Sequence, residues 1–168
     1  MSKIHIVFGP QGAGKSTYSK KLADEVKGIH LGIDNWMWKL YGDDLPKSMN
    51  LKWIMERVER CEKLIWELSE DIFNRGCDVI LDLGFTKREK RKLFQQLAEE
   101  KGKEVQIHYV SAKHLIRRKR VLDRNVNRGE TFSFEVTPGM FDFMEGEFHK
   151  PTESELMNAV IIDTNPKE

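Results

Sequence analysis

The sequence predicts an α/β fold: a mainly parallel sheet of five strands between two layers of helix. Short apolar runs alternate with helix-length amphipathic stretches along all 168 residues. The first run passes directly into a glycine-rich turn, Gly9-Pro10-Gln11-Gly12-Ala13-Gly14, and then into a helical pattern. No repeat, low-complexity tract or linker interrupts this alternation, so residues 1–168 read as a single domain.

Each element has a local cause. Ile4-His5-Ile6-Val7-Phe8 is nearly all apolar and is stopped by Gly9-Pro10, which marks a buried first strand. Residues 15–26 form the helix after it, and 29–33 form the second strand. Leu51, Ile54, Val58, Cys61, Leu64, Ile65, Leu68 and Ile72 recur at three- and four-residue steps. That spacing predicts a long amphipathic helix, opened by Asn50 and ended near Gly76. Val79-Ile80-Leu81-Asp82-Leu83 is the third strand, and Thr86 with Glu89 reads as a capping box for a helix that stops at Gly102. The fourth strand spans 105–110 and the last 159–162. Between them lie a basic helix over 113–128, closed by Gly129, and a helix started by Thr137-Pro138.

Composition removes several classes of protein. With 39% hydrophobic and 33% charged residues, the chain has enough apolar surface for a core. No apolar run approaches the ~20 residues of a membrane span or resembles a secretory leader, and a cytoplasmic location is expected. Two cysteines, Cys61 and Cys77, cannot supply a disulfide framework or a four-ligand zinc site. The net charge of +1 hides an uneven distribution. Residues 113–128 carry seven Lys/Arg against Asp123 alone, whereas 129–147 carry five acids and no Lys or Arg. That balance argues against a general nucleic-acid coat and leaves room for one concentrated anion site.

Gly9 to Ser16 fits G-x-x-x-x-G-K-[ST], the phosphate-binding P-loop, in its required place between strand and helix. Glycines let successive N–H groups turn toward phosphate oxygens, and the positive end of the following helix adds to the attraction. The spacing makes Gly9, Gln11, Gly12, Ala13, Gly14, Lys15, Ser16 and Thr17 the expected nucleotide-binding residues. Lys15 should reach the β- and γ-phosphates of ATP, and the Ser16 hydroxyl should hold Mg²⁺. Asp82 ends an apolar strand, where such a protein places its Mg²⁺-directed acid; it is also suited to bind substrate or to cap a turn. Asp34, 19 residues after Lys15, falls at the carboxyl end of the second strand. A carboxylate there can take the proton of an attacking hydroxyl, or it can N-cap the segment 35–41.

Taken together, these residues resemble the P-loop kinases related to the 5′-kinase domain of polynucleotide kinase, chloramphenicol phosphotransferase and gluconate kinase. The closest resemblance is to a bacterial group of AAA-like ATP-binding phosphotransferases. It runs through Gly9-to-Thr17, Ile33-Asp34-Asn35-Trp36-Met37, Val79-to-Phe85, Arg124-Asn125 with Arg128-Gly129, and Val136-to-Met144. The resemblance implies that Asp34 is the general base, and that Arg128 stabilises the transferring phosphoryl group from a helical lid over 117–134. It also implies that Arg124 contacts ATP, with Arg120 one helical turn earlier on the same face. The implied reaction is transfer of the γ-phosphoryl of Mg²⁺-ATP to a hydroxyl.

The acceptor is less well marked. Polynucleotide kinase has an arginine three residues past its catalytic aspartate, whereas Met37 stands there in this chain, inside Trp36-Met37-Trp38. These apolar residues suit a small-molecule acceptor better than a polynucleotide end, although they fit the core equally well. A polynucleotide 5′-hydroxyl kinase and a non-catalytic ATP-binding switch stand as alternatives. A nucleoside monophosphate kinase is disfavoured, because Asp34 would repel a phosphate acceptor. Arg117, Arg118 and Lys119 read as solvated helix residues. Arg57, Arg60, Arg88 and Arg91 read as partners in helix salt bridges. His5 and His108 read as satisfied strand residues.

Overall fold

The computed structural model describes residues 2–48, 50–127 and 135–167. Five strands form one all-parallel sheet: β1 (Ile4–Phe8), β2 (Ile29–Gly32), β3 (Val79–Asp82), β4 (Val105–Ser111) and β5 (Val160–Asp163). The spatial order is β2-β3-β1-β4-β5, with Ile4 in register with both Val79 and Val105. Helices α1 (Lys15–Val26), α2 (Ile33–Tyr41), α3 (Leu51–Asn74), α4 (Arg88–Glu100), α5 (His114–Asn127), α6 (Pro138–Glu147) and α7 (Glu153–Leu156) cover the faces and the carboxyl end. Among the described residues no helix is long and apolar enough to cross a membrane.

Helices on both faces explain why β1 reads as a continuous apolar run rather than an alternating one. Alternate residues serve two cores. Ile4, Ile6, Phe8 and Leu81 pack with Ile65 of α3 and Phe94 of α4. Val7, Ile80 and Val110 pack with Ala13, Leu22 and Ala23 of the P-loop and α1. Ile6 is fully buried, so Ile6→Ala should cost about 2–5 kcal/mol.

Most boundaries agree with the sequence within a residue or two, and the capping signals agree in part. Asn50 accepts from the Trp53 N–H, and Thr137 accepts from the Met140 N–H with Pro138 at the first helical position. The capping box at Thr86 is not formed. Lys87 is the N-cap of α4 and makes no side-chain cap, whereas a full capping box opens the short α7 at Thr152 and Glu155. β2 stops at Gly32, so Asp34 lies in the first turn of α2 and is neither a strand end nor the N-cap, which is Gly32. Trp36 and Met37 pack against the main core, while Trp38 stays half exposed.

Two arginines depart from the surface roles expected of them. Arg91 is 1% exposed. It donates to both oxygens of Glu155 (2.7 and 3.2 Å) and to the carbonyls of Phe85 (3.0 Å) and His149 (3.1 Å), over the Phe8 ring. Arg117 is also buried. It forks onto Glu145 (2.9 and 2.6 Å) and donates to the Gln11 carbonyl (3.1 Å). Each planar guanidinium finds its partners on distant segments, which local helix spacing does not report.

His5 and His108 are satisfied, as expected, by a chain that reaches α1. The Asp78 carboxylate only accepts, so His5 Nε2 donates to it at 3.2 Å. His5 Nδ1 pairs with His108 Nε2 (2.9 Å), and His108 Nδ1 pairs with the Tyr18 hydroxyl (2.8 Å). Burial, aided by the neighbouring His5, pushes the His108 pKa down to about 4 and keeps that ring neutral.

Candidate functional site

The carboxyl ends of the strands open onto a cleft of about 600 Å³. The turn from β1 to α1 forms its floor. Gly12 has φ +77°, and a Cβ there would lie 2.6 Å from the Arg117 carbonyl oxygen. Gly14, the N-cap of α1, has φ +92°. Only glycine tolerates both positions, and this fixes a backbone cradle at the positive end of a 12-residue helix.

Of the residues expected at the site, Gln11, Gly12, Gly14, Lys15, Ser16, Thr17, Asp34, Asp82, Arg120 and Arg124 line this one cleft. Gly9 and Ala13 support it from below: Gly9 lies against the Val110 carbonyl, and Ala13 is fully buried. Arg128 lies outside the described residues, as does the stretch 128–134 of the expected lid.

The charges are arranged around Lys15. Its ammonium donates to the Pro10 carbonyl at 3.1 Å. Burial lowers its pKa, while Asp82 and Asp34 pull the other way. Asp34 meets solvent within the cleft but is ringed by protein. That desolvation, and then the charge of Asp82, raise its carboxyl above the ordinary range against the pull of Lys15 and Arg124. Burial also lowers the Arg124 pKa, and Asp34 offsets part of the effect. Asp82 is nearly buried, with His30 Nε2 at 3.4 Å from its carboxylate.

Arg120 is placed by the segment after β5. It donates to the Thr164 hydroxyl (2.9 Å) and to the Thr164 carbonyl, and the Thr164 hydroxyl donates to the Ala13 carbonyl (2.7 Å). Thr164 also lines the cleft and was missed in the sequence. The rule that pointed to Asp34, that ligands gather beyond strand carboxyl ends, applies equally to the residue following β5. Tyr18, Gly84, Thr86, Met144 and Phe148 also line the wall; Gly84 and Met144 fall within segments that carry the family resemblance, whereas no motif marks Tyr18 and Phe148.

The donor set fits a nucleotide with its metal. Among the described residues the Ser16 side chain makes no hydrogen bond, and it faces the same cleft as the Asp82 carboxylate. One hydroxyl, one carboxylate and phosphate oxygens are the usual surroundings of Mg²⁺ in nucleotide sites.

Sheet order, P-loop and cleft define a P-loop kinase fold. Residues 4–151 match the AAA_33 family of AAA domains, and the chain belongs to that family. Solved structures agree with the fold. A candidate kinase of Chloroflexus aurantiacus J-10-fl is 15% identical with a TM-score of 0.72, over 97% of this chain and 88% of that one. A gluconokinase of Sinorhizobium meliloti 1021 is 14% identical with a TM-score of 0.62, over 98% and 84%. Chaetomium thermophilum Kti12, solved with ADP-AlF3, is 13% identical with a TM-score of 0.71, over 98% and 91%. Similarity at this level of identity concerns the fold.

Proposed function

We propose that the protein is an ATP-dependent phosphotransferase that moves the γ-phosphoryl group of ATP to a hydroxyl of a small molecule. The observation that carries this reading is a carboxylate, Asp34, facing the P-loop lysine across one cleft. In this reading residues 1–168 act as one kinase unit in the cytoplasm, and the lid expected over 117–134 contributes Arg120 and Arg124 from α5.

The chain's residues divide the work. The glycine cradle and the α1 N-terminus hold the phosphates, and Lys15 neutralises charge on the β- and γ-groups. Ser16 and Asp82 would hold Mg²⁺, which supplies further charge neutralisation on the phosphate oxygens. The acceptor oxygen attacks the γ-phosphorus, the bond to the ADP oxygen breaks, and the hydroxyl proton passes to Asp34. A raised carboxyl pKa suits that role, because it brings the base closer to working pH. Arg124 balances the negative charge gathered there, and Arg128 has the same role by resemblance.

The test is transfer from γ-labelled ATP to a panel of sugars, polyols and antibiotic-like alcohols, with oligonucleotide 5′-hydroxyls alongside. Label on a small alcohol is the expected result. ATP binding without transfer to any hydroxyl would reassign the protein to nucleotide-dependent switching.

A further inference from the structure

The cleft has two halves, because its walls come from different strands. The P-loop after β1 and Thr164 after β5 form one half; Asp34 after β2 and the segment Gly84-Phe85-Thr86 after β3 form the other. β2 and β3 are neighbours at one edge of the sheet, so Asp34 and this segment rise side by side. Nothing in the proposed phosphate chemistry uses the segment.

Its backbone is strained. Gly84 has φ +81° and Phe85 has φ +44°, a region that side chains other than glycine rarely enter. Such outliers persist only where surrounding structure imposes them, and they gather at ligand sites. The imposing structure is the buried Arg91. It binds the Phe85 carbonyl, reaches the Thr86 carbonyl (3.4 Å) and takes the His149 carbonyl, while Glu155 holds its other edge. The His149 N–H donates to the Thr86 carbonyl as well (2.9 Å). The turn is therefore clamped to the segment carrying Phe148. Phe85 is turned into the core, 1% exposed, and Thr86 lines the cleft.

The Thr86 hydroxyl makes no hydrogen bond among the described residues, because the capping role that its sequence suggests is not formed. Apolar wall from Met144 and Phe148 belongs to the same cleft. Among the described residues the cations lining the cleft are Lys15, Arg120 and Arg124, on the P-loop and α5; Arg91 lies below the wall with its donors used.

We propose that Thr86 binds the phosphoryl acceptor, that the acceptor is an uncharged alcohol with an apolar face, and that Arg91 is the positioning residue holding Thr86 in place. The proposal deepens the kinase reading and rests on it. One hydroxyl of the acceptor meets Asp34, and a second polar group meets Thr86. Carbon on the acceptor lies against Met144 and Phe148. Among the described residues, that half of the cleft offers no free cation to a carboxylate or phosphate on the acceptor.

The test uses the full chain and γ-labelled ATP, with glycerol, D-ribose and 2-phenylethane-1,2-diol as neutral acceptors. Gluconate and a 5′-hydroxyl oligonucleotide serve as anionic ones. Neutral members should be labelled in preference. For the best of them, Thr86→Val should raise KM roughly 5- to 10-fold, the loss expected of one neutral hydrogen bond, with kcat within a few-fold. Thr86→Ser should restore KM, and Arg91→Lys should raise it as Thr86→Val does. Calorimetric Mg²⁺-ATP affinity should be unchanged in Thr86→Val. Labelling of anionic members first, or an unchanged KM in Thr86→Val, overturns this proposal alone; labelling of none while ATP still binds overturns the kinase reading with it. Wild-type protein that fails to bind Mg²⁺-ATP overturns the kinase reading with it.

Discussion

At Lys15 the decisive quantity is the cost of keeping an ammonium in a largely desolvated place. Burial lowers its pKa, and the two carboxylates across the cleft hold the proton on. Phosphate would replace the Pro10 carbonyl as its partner, exchanging a neutral acceptor for a charged one. Lys15→Ala should therefore weaken Mg²⁺-ATP binding about 10- to 100-fold, the range for one charged hydrogen bond, as calorimetry can measure. Asp82→Asn should instead raise the Mg²⁺ concentration needed for half-maximal rate, read from a metal titration of initial rates. Asp34 adds a pH dependence. Its carboxyl is raised and must be ionised to act as base, so the acid limb of the kcat/KM profile should lie above the ordinary carboxylate range near 4. These residues were legible in the sequence, because P-loop spacing fixes Lys15, Asp82 ends a strand, and Asp34 follows the end of one by two residues. Arg91 and Arg117 were not: their partners Glu155 and Glu145 lie 64 and 28 residues away. A basic residue on a helix carries no mark of burial until those segments meet.

At the scale of elements, α1 is held to the sheet by more than its apolar face. The chain from Tyr18 through His108 and His5 to Asp78 ties its second turn to β4 and β1. His108 is neutral in the fold, with a pKa of about 4 against about 6.5 when exposed. A depressed histidine pKa means that the unfolded chain binds the proton more readily. Its contribution to stability is present above about pH 6.5 and is lost as pH falls toward 4, by at most about 1.4 kcal/mol per pH unit. His108→Gln should flatten that part of the stability curve relative to wild type, measured by denaturant midpoints across this window. The Arg117–Glu145 pair joins α5, the P-loop and α6 in the same way. Removing one partner strands a buried charge, so Glu145→Ala should cost about 3 kcal/mol or more by urea unfolding. The strands and long helices were legible because each is an apolar run or stripe bounded by glycine or a cap. The pattern Thr86-x-x-Glu89 misled because any such spacing matches a capping box, while the clamp at Arg91 sets the turn differently here.

For the molecule as a whole, strand order separates two tasks. β1, β4 and β5 bring the P-loop, the arginines of α5 and Thr164 to one half of the cleft, while β2 and β3 bring Asp34 and Thr86 to the other. This division argues against a polynucleotide end as acceptor. Several phosphates would need cations beyond Asp34, and each neutralised one would add roughly one unit to the log–log salt slope. Binding of a 5′-hydroxyl oligonucleotide should accordingly be weak and shallow in salt, as fluorescence anisotropy between low and moderate salt can check. Phosphoryl transfer with Asp34 as base requires both halves acting together. Asp34→Asn keeps the side chain's shape and removes its ability to take the proton. The most direct measurement pairs calorimetric Mg²⁺-ATP affinity with the rate of transfer from γ-labelled ATP in wild type and this variant. Affinity within a few-fold of wild type and transfer reduced about 100-fold or more is the predicted result. Full transfer in Asp34→Asn would show that Asp34 is not the base.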